Sequence, residues 1–506
     1  MKKGFKKLLS LVFTGVLLGS SVTSIAASAG EPYDVYNYDR WGEAIPSQAG
    51  YIADRVVSGN DLGVGHFSNP NDIFRDHNDI FYVVDTGNNR IVAVNSEFDE
   101  VVKVYEDFVM PDGSVTNLKK PMGIFVSAEN DLMYIADYDN SRVLISDYDG
   151  NVVQEITKPT SEVFDQSRTF LPQRVIVDKA GNVYVVLGNI TTGAAMFLPD
   201  GEFSDFYGAN RVEATAEIVG NYFMNLFTSD EKKARKARNV PSGITSFDIE
   251  GDFIFTCTSS TTQTTDTVKK LNAAGNNIFS NLELSFGDYT PMYDTNTNTN
   301  YQAKICDIDI ADDGNINCLD FTTGRVFQYD KECGLLFITG TIAKQVGGFD
   351  QVAALESMGE NLYVVDMQKN TVTIFTETSF GKIVHEATDL YNSGYYEQAL
   401  EPWYEVLKRD GNYRRAYVGV ASALYNSGDY EGAMKYAKLA DVPAIYNKAF
   451  EGYRSEFLNA HFTEIVIAVI VVIIGLFALS RFFRKKRILR ENAEKAEREQ
   501  RLREEE

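Results

Sequence analysis

One short pattern of apolar residues recurs six times in the chain, and it constrains the fold more than any other feature. The copies are spaced 46 to 69 residues apart, each between a polar turn and another alternating apolar run. Alternation with period two between Gly, Asp and Asn turns is typical of short antiparallel strands. Six such units predict an all-β six-bladed propeller over residues 51–382. The copies are Tyr82-Val-Val-Asp85, Tyr134-Ile-Ala-Asp137, Tyr184-Val-Val-Leu187, Phe253-Ile-Phe-Thr256, Asn317-Cys-Leu-Asp320 and Tyr363-Val-Val-Asp366.

Polar residues at fixed positions follow several of these strands. The strings VVDTGNNRIVAV and IADYDNSRVLIS resemble NHL repeats, which carry an aspartate, then Asn and Arg, before the third strand of a blade. The resemblance covers about residues 50–380 and implies a propeller that serves as a binding platform or, less often, as a lyase or lactonase. Because the aspartate recurs at equivalent positions, we expect it to cap a turn in each blade. The positions that carry the resemblance are Asp85 and Arg90, Asp137 and Arg142, Asp320 and Arg325, and Asp366.

The sixth blade offers only three strands before a helical pattern begins. The segment Tyr51–Val57 alternates in the same way and precedes the first blade. We therefore predict that this segment pairs with the sixth blade as its outer strand and closes the ring.

A second repeat begins near residue 383. ATDLYNSGYYEQA at Ala387–Ala399 returns as ASALYNSGDYEGA at Ala421–Ala433, 34 residues later. The pattern resembles the tetratricopeptide repeat, which implies paired helices over residues 383–462, with Gly394 and Gly428 in the turns. The helix predicted at Tyr446–Phe462 would cap the array. Candidate residues for lining a groove of these repeats are Tyr391, Tyr395, Arg415 and Tyr425.

Both ends of the chain carry apolar segments next to basic residues. Residues 1–29 have the form of a secretory signal peptide, and 30–50 form an N-terminal segment. Residues 463–483 are apolar enough to cross a membrane, and basic residues follow at 484–487. The predicted topology is a single-pass cell-membrane protein of bacterial type, with its N-terminal domains outside the cytoplasm. Residues 484–506 form a charged, cytoplasmic helical tail.

Charge excludes one class of partner. The chain carries a formal net charge of −23, and residues 30–480 hold 64 acidic against 34 basic residues. Such a body repels a phosphate backbone, so nucleic-acid binding is excluded. Residues 211–238 predict a helical insertion with a basic run. That run either pairs with acids of the propeller or faces an anionic lipid or acidic partner.

The sequence offers few residues that are recognisable as catalytic groups or metal ligands. Its four histidines are too dispersed to converge on a zinc ion in a propeller channel. Carboxylates and Asn residues that hold one divalent ion, as in a lactonase, remain an alternative without identifiable ligands. Cys306 and Cys318 flank a turn and either form a disulfide or stay free.

These features together favour an interaction protein. We expect a membrane-anchored binding or scaffold protein outside the cytoplasm, without enzymatic activity or cofactor, possessing two recognition modules. Its partners would be a membrane-associated protein, such as a transporter or envelope complex, and a peptide or glycan at the propeller. The alternative is a divalent-metal-dependent lactonase or lyase-type hydrolase on the propeller.

Overall fold

The computed structural model describes most of the chain, and the predicted signal peptide and the predicted insertion at 211–238 lie outside the described residues. The chain divides into two compact units, Met1–Ala416 and Tyr417–Glu506. The described residues are 35–39, 41–209, 243–259, 267–281, 284–288, 292–294, 299–301 and 303–504.

The first unit is a six-bladed β-propeller followed by helices. Its described part begins with a small pair of strands, Tyr36–Tyr38 (β1) and Ala44–Pro46 (β2), and then the longer strand Tyr51–Ser58 (β3). The first three blades are antiparallel four-stranded sheets. Their strands, with one hairpin (β8, β9) between blades 1 and 2, are Asp72–Arg75 (β4), Phe81–Asp85 (β5), Arg90–Val94 (β6), Val101–Tyr105 (β7), Asp107–Val109 (β8), Val115–Asn117 (β9), Pro121–Ser127 (β10), Leu132–Asp137 (β11), Arg142–Ser146 (β12), Val152–Ile156 (β13), Pro172–Val177 (β14), Val183–Leu187 (β15), Ala194–Phe197 (β16) and Phe203–Tyr207 (β17).

The last three blades follow the same order of strands. Blade 4 has three strands among the described residues, β18 to β20, and blade 5 has four, β23 to β26. Blade 6 is formed by β27 to β29 together with β3. These strands and one small pair (β21, β22) are Ser246–Glu250 (β18), Phe253–Cys257 (β19), Val268–Leu271 (β20), Met292–Asp294 (β21), Thr299–Tyr301 (β22), Ile305–Ile310 (β23), Ile316–Asp320 (β24), Arg325–Tyr329 (β25), Leu335–Thr339 (β26), Val352–Met358 (β27), Asn361–Asp366 (β28) and Thr371–Glu377 (β29).

The first strands of the blades surround a central channel. They contact one another in a closed ring, in the order β4, β10, β14, β18, β23, β27 and again β4. The prediction that an N-terminal strand completes the sixth blade is confirmed, since β3 pairs with β29 with Val57 opposite Val372. Closure of the ring therefore joins residues some 315 positions apart without a disulfide.

Apolar side chains between neighbouring blades form the core. The tyrosine of the repeated pattern is buried in four blades, at Tyr82, Tyr134, Tyr184 and Tyr363. Full burial of an aromatic or aliphatic side chain stabilises a fold by about 1.5–3 kcal/mol. Alternation along each second strand thus supplies both faces of a blade with packing residues.

A helical region follows the propeller. Thr378 caps its first helix by accepting a hydrogen bond from Gly381 N at 3.0 Å. Because that helix begins at Ser379, the predicted propeller boundary at residue 382 is four residues late. The helices are Ser379–Asn392 (α1), Tyr396–Arg409 (α2), Arg414–Ser427 (α3), Tyr430–Ala440 (α4), Pro443–Ala460 (α5) and Phe462–Glu504 (α6).

The C-terminal helices differ in their bounds from the prediction. The expected cap helix at Tyr446–Phe462 is α5, which starts earlier and ends at Ala460 because the helix is interrupted at His461. The predicted span at 463–483 and the predicted helical tail are continuous in one helix, α6. Among the described residues, one helix is long and apolar enough to cross a membrane, judged by length and composition alone, and it is α6.

The cysteine alternatives are resolved in favour of free thiols. All four cysteines are free, and Cys318 lies opposite Ile308 in the sheet. Cys306 is the extra residue of a β-bulge, so the two thiols do not face each other across the hairpin. A Cys306–Cys318 disulfide is therefore absent.

Candidate functional site

Acidic residues line the inside of the channel. They occupy alternate positions of the innermost strands, among apolar residues, in the segments DIFR, SFDIE, DIDI and VAALESM. An acid at these positions of a buried strand was the signal that sequence reasoning missed. The channel acids are Asp72, Asp248, Asp307, Asp309 and Glu356.

Each channel acid binds the backbone of the next blade. Asp72 of blade 1 accepts a hydrogen bond from Ile124 N in blade 2 at 3.0 Å. The same contact recurs from blade 4 to 5, from 5 to 6 and from 6 to 1. Its donors are Ile310 N to Asp248 at 2.7 Å, Leu355 N to Asp307 at 2.8 Å, Ser357 N to Asp309 at 3.3 Å and Arg75 N to Glu356 at 3.1 Å. We call these contacts the inter-blade ties, and they satisfy N–H groups that no neighbouring strand can reach.

Arg174 links blade 3 to blades 1 and 2. Its guanidinium donates to Met122 O at 2.6 Å and to Asn71 O at 2.9 Å, and its Nε lies 3.6 Å from Asp72 Oδ1. One cation therefore holds the first strands of blades 1, 2 and 3 together. The charge of this guanidinium also faces the acids of the channel.

Burial alters the protonation of the cluster. Burial raises the pKa of Asp72 to about 7 and the pKa of Asp248 to about 8. The pKa of Glu356 rises well above its usual range because the side chain is buried and faces Asp309, with which it forms a hydrogen bond. The cluster consequently retains protons near neutral pH. The cavity among these acids is only about 40 Å³, room for a few water molecules.

A wider cavity opens at the channel end where the innermost strands begin. It measures about 390 Å³, and we call it the funnel. In blades 2, 3, 5 and 6 a β-bulge inserts one extra residue, and each of those residues lines the funnel. A bulge redirects a side chain out of the ladder, which explains this recurrence. The lining residues are Asn71, Met122, Gln173, Arg174, Thr245, Ser259, Lys304, Cys306, Phe321, Gln351, Val352, Ala353 and Met367.

The funnel combines two cations with amide, hydroxyl and apolar groups. Arg174 and Lys304 are the charged residues in its described lining, which contains no carboxylate. Burial raises the pKa of the Cys306 thiol well above its ordinary value, which favours the protonated thiol at neutral pH. The funnel is suited to a small molecule with an anionic or carbonyl group and an apolar portion.

The recurring aspartates are buried and accept hydrogen bonds from backbone N–H groups. Asp85 and Asp137 are fully buried, and each accepts a hydrogen bond from the backbone before the innermost strand, from Ser68 N at 2.6 Å and Lys119 N at 2.7 Å. Each also pairs with the arginine of its own repeat: Arg90 Nε lies 2.8 Å from Asp85 and Arg142 Nε lies 2.7 Å from Asp137.

Two further blades keep the aspartate but change its partners. Asp320 accepts from Lys304 N at 2.6 Å and Thr323 Oγ1 at 2.6 Å, whereas Arg325 pairs with Asp288 at 2.8 Å. Asp366 accepts from Asp350 N at 2.7 Å. Blade 5 thus differs from blades 1 and 2, because Thr323 donates to the aspartate and Arg325 pairs with Asp288.

The four residues proposed for a repeat groove do not form one set. Arg415 is buried in an ion pair with Asp330 of blade 5 and lies 3.5 Å from Glu332, so it is not a groove residue. Tyr395 is exposed, and Tyr391 packs near Tyr396 at 5.3 Å between ring centroids. Tyr425 packs near Tyr430 at 5.9 Å.

Gly394 and Gly428 end their helices in the same way. Both have positive φ, 83° and 90°, a conformation that glycine adopts at no steric cost. The residue after each one donates to a carbonyl five positions earlier, Tyr395 N to Leu390 O and Asp429 N to Leu424 O, both at 2.9 Å. These are Schellman caps, and they explain the shared N-S-G segment of the two repeats.

The described residues do not fit a metal ion held in the channel. None of the four histidines lines the funnel or the channel. Within the described ranges, no group of three or more His, Cys, Asp or Glu side chains is arranged to hold a metal. The channel acids instead bind backbone N–H groups through the inter-blade ties. Neither zinc nor a lactonase-type divalent ion is therefore assigned to these residues.

Comparisons with known proteins give a limited match. No family model matches the sequence. A Caenorhabditis elegans protein named as a probable peptidyl-α-hydroxyglycine α-amidating lyase is 28% identical over 104 residues, which is 20% of this chain and 29% of the relative. The match thus spans less than a third of the relative's length.

Solved structures with a similar fold share little sequence. A catalytically inactive virginiamycin B lyase from Staphylococcus aureus with quinupristin has a TM-score of 0.40 and 10% identity, covering 64% of this chain and 99% of its own. Hydrazine synthase from Kuenenia stuttgartiensis has a TM-score of 0.33 and 13% identity, covering 65% of this chain and 99% of its own.

The expectation that this protein is not an enzyme is contradicted. The curated relative that matches part of the chain is named a lyase, so the match points to an enzyme-like propeller. The sequence favoured the opposite conclusion because histidine ligands and known catalytic motifs usually mark an enzyme, and the described lining of the funnel contains neither.

Proposed function

We propose that the propeller is a lyase-type enzyme that binds a small substrate in the funnel. The observation that carries this proposal is the convergence of all six blades on one cavity of about 390 Å³, with the guanidinium of Arg174 held in its lining. The named activity of the relative supports the reaction class.

The fixed charge of Arg174 gives the funnel its chemical character. A lyase breaks a bond by elimination, and negative charge develops on an oxygen or nitrogen as the bond breaks. Cations and donors already oriented toward that position stabilise the charge without reorganisation. Arg174 is oriented by two backbone carbonyls, and Lys304 adds a second cation with transferable protons.

The first substrate to test is a peptide ending in α-hydroxyglycine. Its cleavage breaks the bond between the amide nitrogen and the hydroxylated carbon, and leaves a peptide amide and glyoxylate. The full-length protein in detergent would be incubated with this peptide, and the amide would be measured by mass spectrometry. A peptide ending in glycine, which lacks the hydroxyl, is the negative control.

Substitutions in the lining of the funnel test whether the substrate binds there. Lys304→Ala should lower kcat/KM at least about tenfold, which corresponds to about 1.4 kcal/mol of transition-state stabilisation. Phe321→Ala should raise KM by removing apolar contact. Lys179→Ala, which removes an exposed lysine 3.3 Å from Asp252, should leave both constants unchanged. Turnover that is insensitive to both funnel variants would refute the proposal.

We also infer that the chain is held at the outer face of a cell membrane by α6, with the tail in the cytoplasm. The length and composition of α6 support a span, and the basic residues Arg484 to Arg487 support an orientation with the C-terminus inside. Protease added to intact cells should remove the propeller and spare the tail.

The helical region is proposed to bind a membrane-associated protein partner, as tetratricopeptide repeats do. Its 34-residue repeat and the two equivalent Schellman caps support this interpretation, as the Asp–Arg pairs support NHL-type blades. Tyr395, exposed in the first repeat, is the residue to test. Crosslinking in native membranes should recover a partner from the wild type and less from Tyr395→Ala.

A further inference from the structure

Helix α5 carries an exposed aromatic stripe immediately before the apolar helix α6. The stripe consists of Tyr446, Phe450, Tyr453 and Phe457, and 38–48% of each residue is exposed. At 100° per residue these positions fall within an arc of about 60°. An aromatic surface of this kind is costly to leave in water, so it has an apolar environment in the functional protein.

The rotation of α5 about its axis is fixed by its packing on α4. Ala449 is fully buried, and Gly452 lies against the ring of Tyr430, where an added Cβ would meet the ring at 2.6 Å. The stripe is therefore on a side that α4 does not cover. Ser455, also exposed, lies about 140–180° from the residues of the stripe.

We propose that α5 lies along the membrane surface, with the aromatic stripe in the lipid headgroup region. The stripe ends at Phe457, five residues before α6 begins at Phe462, and tyrosine and other aromatic residues concentrate at this depth of a bilayer. This inference rests on the proposed membrane anchoring of α6 and is independent of the proposed enzyme activity.

The interruption at His461 makes this arrangement possible. α5 is capped there by a hydrogen bond from His461 N to Phe457 O at 3.0 Å, and α6 starts at the next residue. A break between two helices allows one to lie in the interface while the other crosses the bilayer. Arg454 of α5 is exposed beside the stripe and available to lipid phosphates.

Tryptophan quenching by brominated lipids tests the depth of the stripe. Full-length protein would be reconstituted into phosphatidylcholine vesicles brominated near the headgroup end of the acyl chains. Trp41→Phe removes the exposed native tryptophan, while Trp403 is buried and contributes a constant background. Into this chain we would introduce Phe450→Trp or Tyr453→Trp on the stripe, Ser455→Trp as the matched control, and Phe477→Trp in α6 to report on anchoring.

Because an interfacial helix buries its apolar face roughly 5–10 Å into the headgroup boundary, emission from the stripe positions should fall roughly twofold, with little change at Ser455→Trp. Quenching at Phe477→Trp by deeply brominated lipid, without quenching on the stripe, would overturn the inference while leaving the anchor intact. Blue-shifted, unquenched stripe emission would overturn it in favour of a protein contact. Absence of quenching at all positions would overturn the anchor as well.

Discussion

The buried ion pair between Arg415 and Asp330 is expected to contribute strongly to stability. Asp330 is fully buried, and its Oδ1 accepts hydrogen bonds from Glu332 N at 3.0 Å and Gly334 N at 2.7 Å. Its Oδ2 faces the guanidinium of Arg415, whose side chain is 12% exposed. Arg415→Met keeps most of the side-chain volume but leaves a buried carboxylate without its cation. Removing one partner of a buried pair costs about 3–5 kcal/mol, and we expect this loss in the free energy of unfolding.

Urea unfolding of the full-length protein in detergent would measure this loss. Trp403 in α2 is 1% exposed and reports unfolding of the helices by fluorescence, once Trp41→Phe has removed the exposed tryptophan. The double variant with Asp330→Asn should lose less than the sum of the single variants, by about 0.5–3 kcal/mol, because the two groups act on each other.

An exposed ion pair provides the matched control. Arg409 lies 3.2 Å from Glu405, and both side chains are more than a third exposed. Arg409→Met should therefore cost less than about 1 kcal/mol. Equal unfolding midpoints for Arg415→Met and Arg409→Met, or strict additivity in the double variant, would refute the argument that burial makes the Arg415 pair strong.

Three further predictions concern the propeller and the helix caps. Burial raises the pKa of Asp72 from 3.8 to about 7, so the contribution of this side chain to stability should be complete below about pH 4 and fall by about 2–4 kcal/mol as the pH rises to about 7. Asp72→Asn should remove this part of the pH dependence in urea titrations at several pH values. Asp137→Asn should lower the free energy of unfolding by about 3 kcal/mol because it leaves Arg142 without its buried partner. Asp320→Asn should lower it by about 1–2 kcal/mol, because the neighbour of this carboxylate is the threonine hydroxyl. Equal losses in thermal unfolding would contradict this ranking. Gly394→Ala should cost about 1–2 kcal/mol through its positive φ alone, since no atom lies within 4 Å of the added Cβ, and a crystal structure of the variant should show no displaced neighbour.

The sequence predicted the blades because their signal is local. Successive side chains of a strand point to opposite faces, so period-two alternation between turn residues reports the strand wherever it lies in the fold. The tyrosines of the repeat and the aspartates beside Arg90 and Arg142 followed from comparing copies along the chain. The sequence also predicted closure by β3. The sixth blade shows only three strands in its own part of the chain, so its fourth strand must come from another segment.

Residues whose role depends on contacts between blades were not predictable in this way. Asp307 and Asp309 are separated by one residue in sequence, yet each binds the backbone of blade 6, some 48 residues away. Arg325 fits the repeat pattern but pairs with Asp288, and Arg415 fits a helix surface but is buried against blade 5. A one-dimensional pattern does not contain the distances between distant segments.

The sequence by itself thus determined the six blades, the strand that closes them, the repeated helices and an apolar C-terminal helix, since each depends on residues near one another in the chain. Only the tertiary structure decided that the channel acids bind the backbone of the next blade. It also decided that the extra residue of each of four bulges lines the funnel, and that α4 leaves the aromatic stripe of α5 exposed. These features arise where separate elements meet. Their energies depend on burial and distance, which exist only after the ring has closed and the helices have packed.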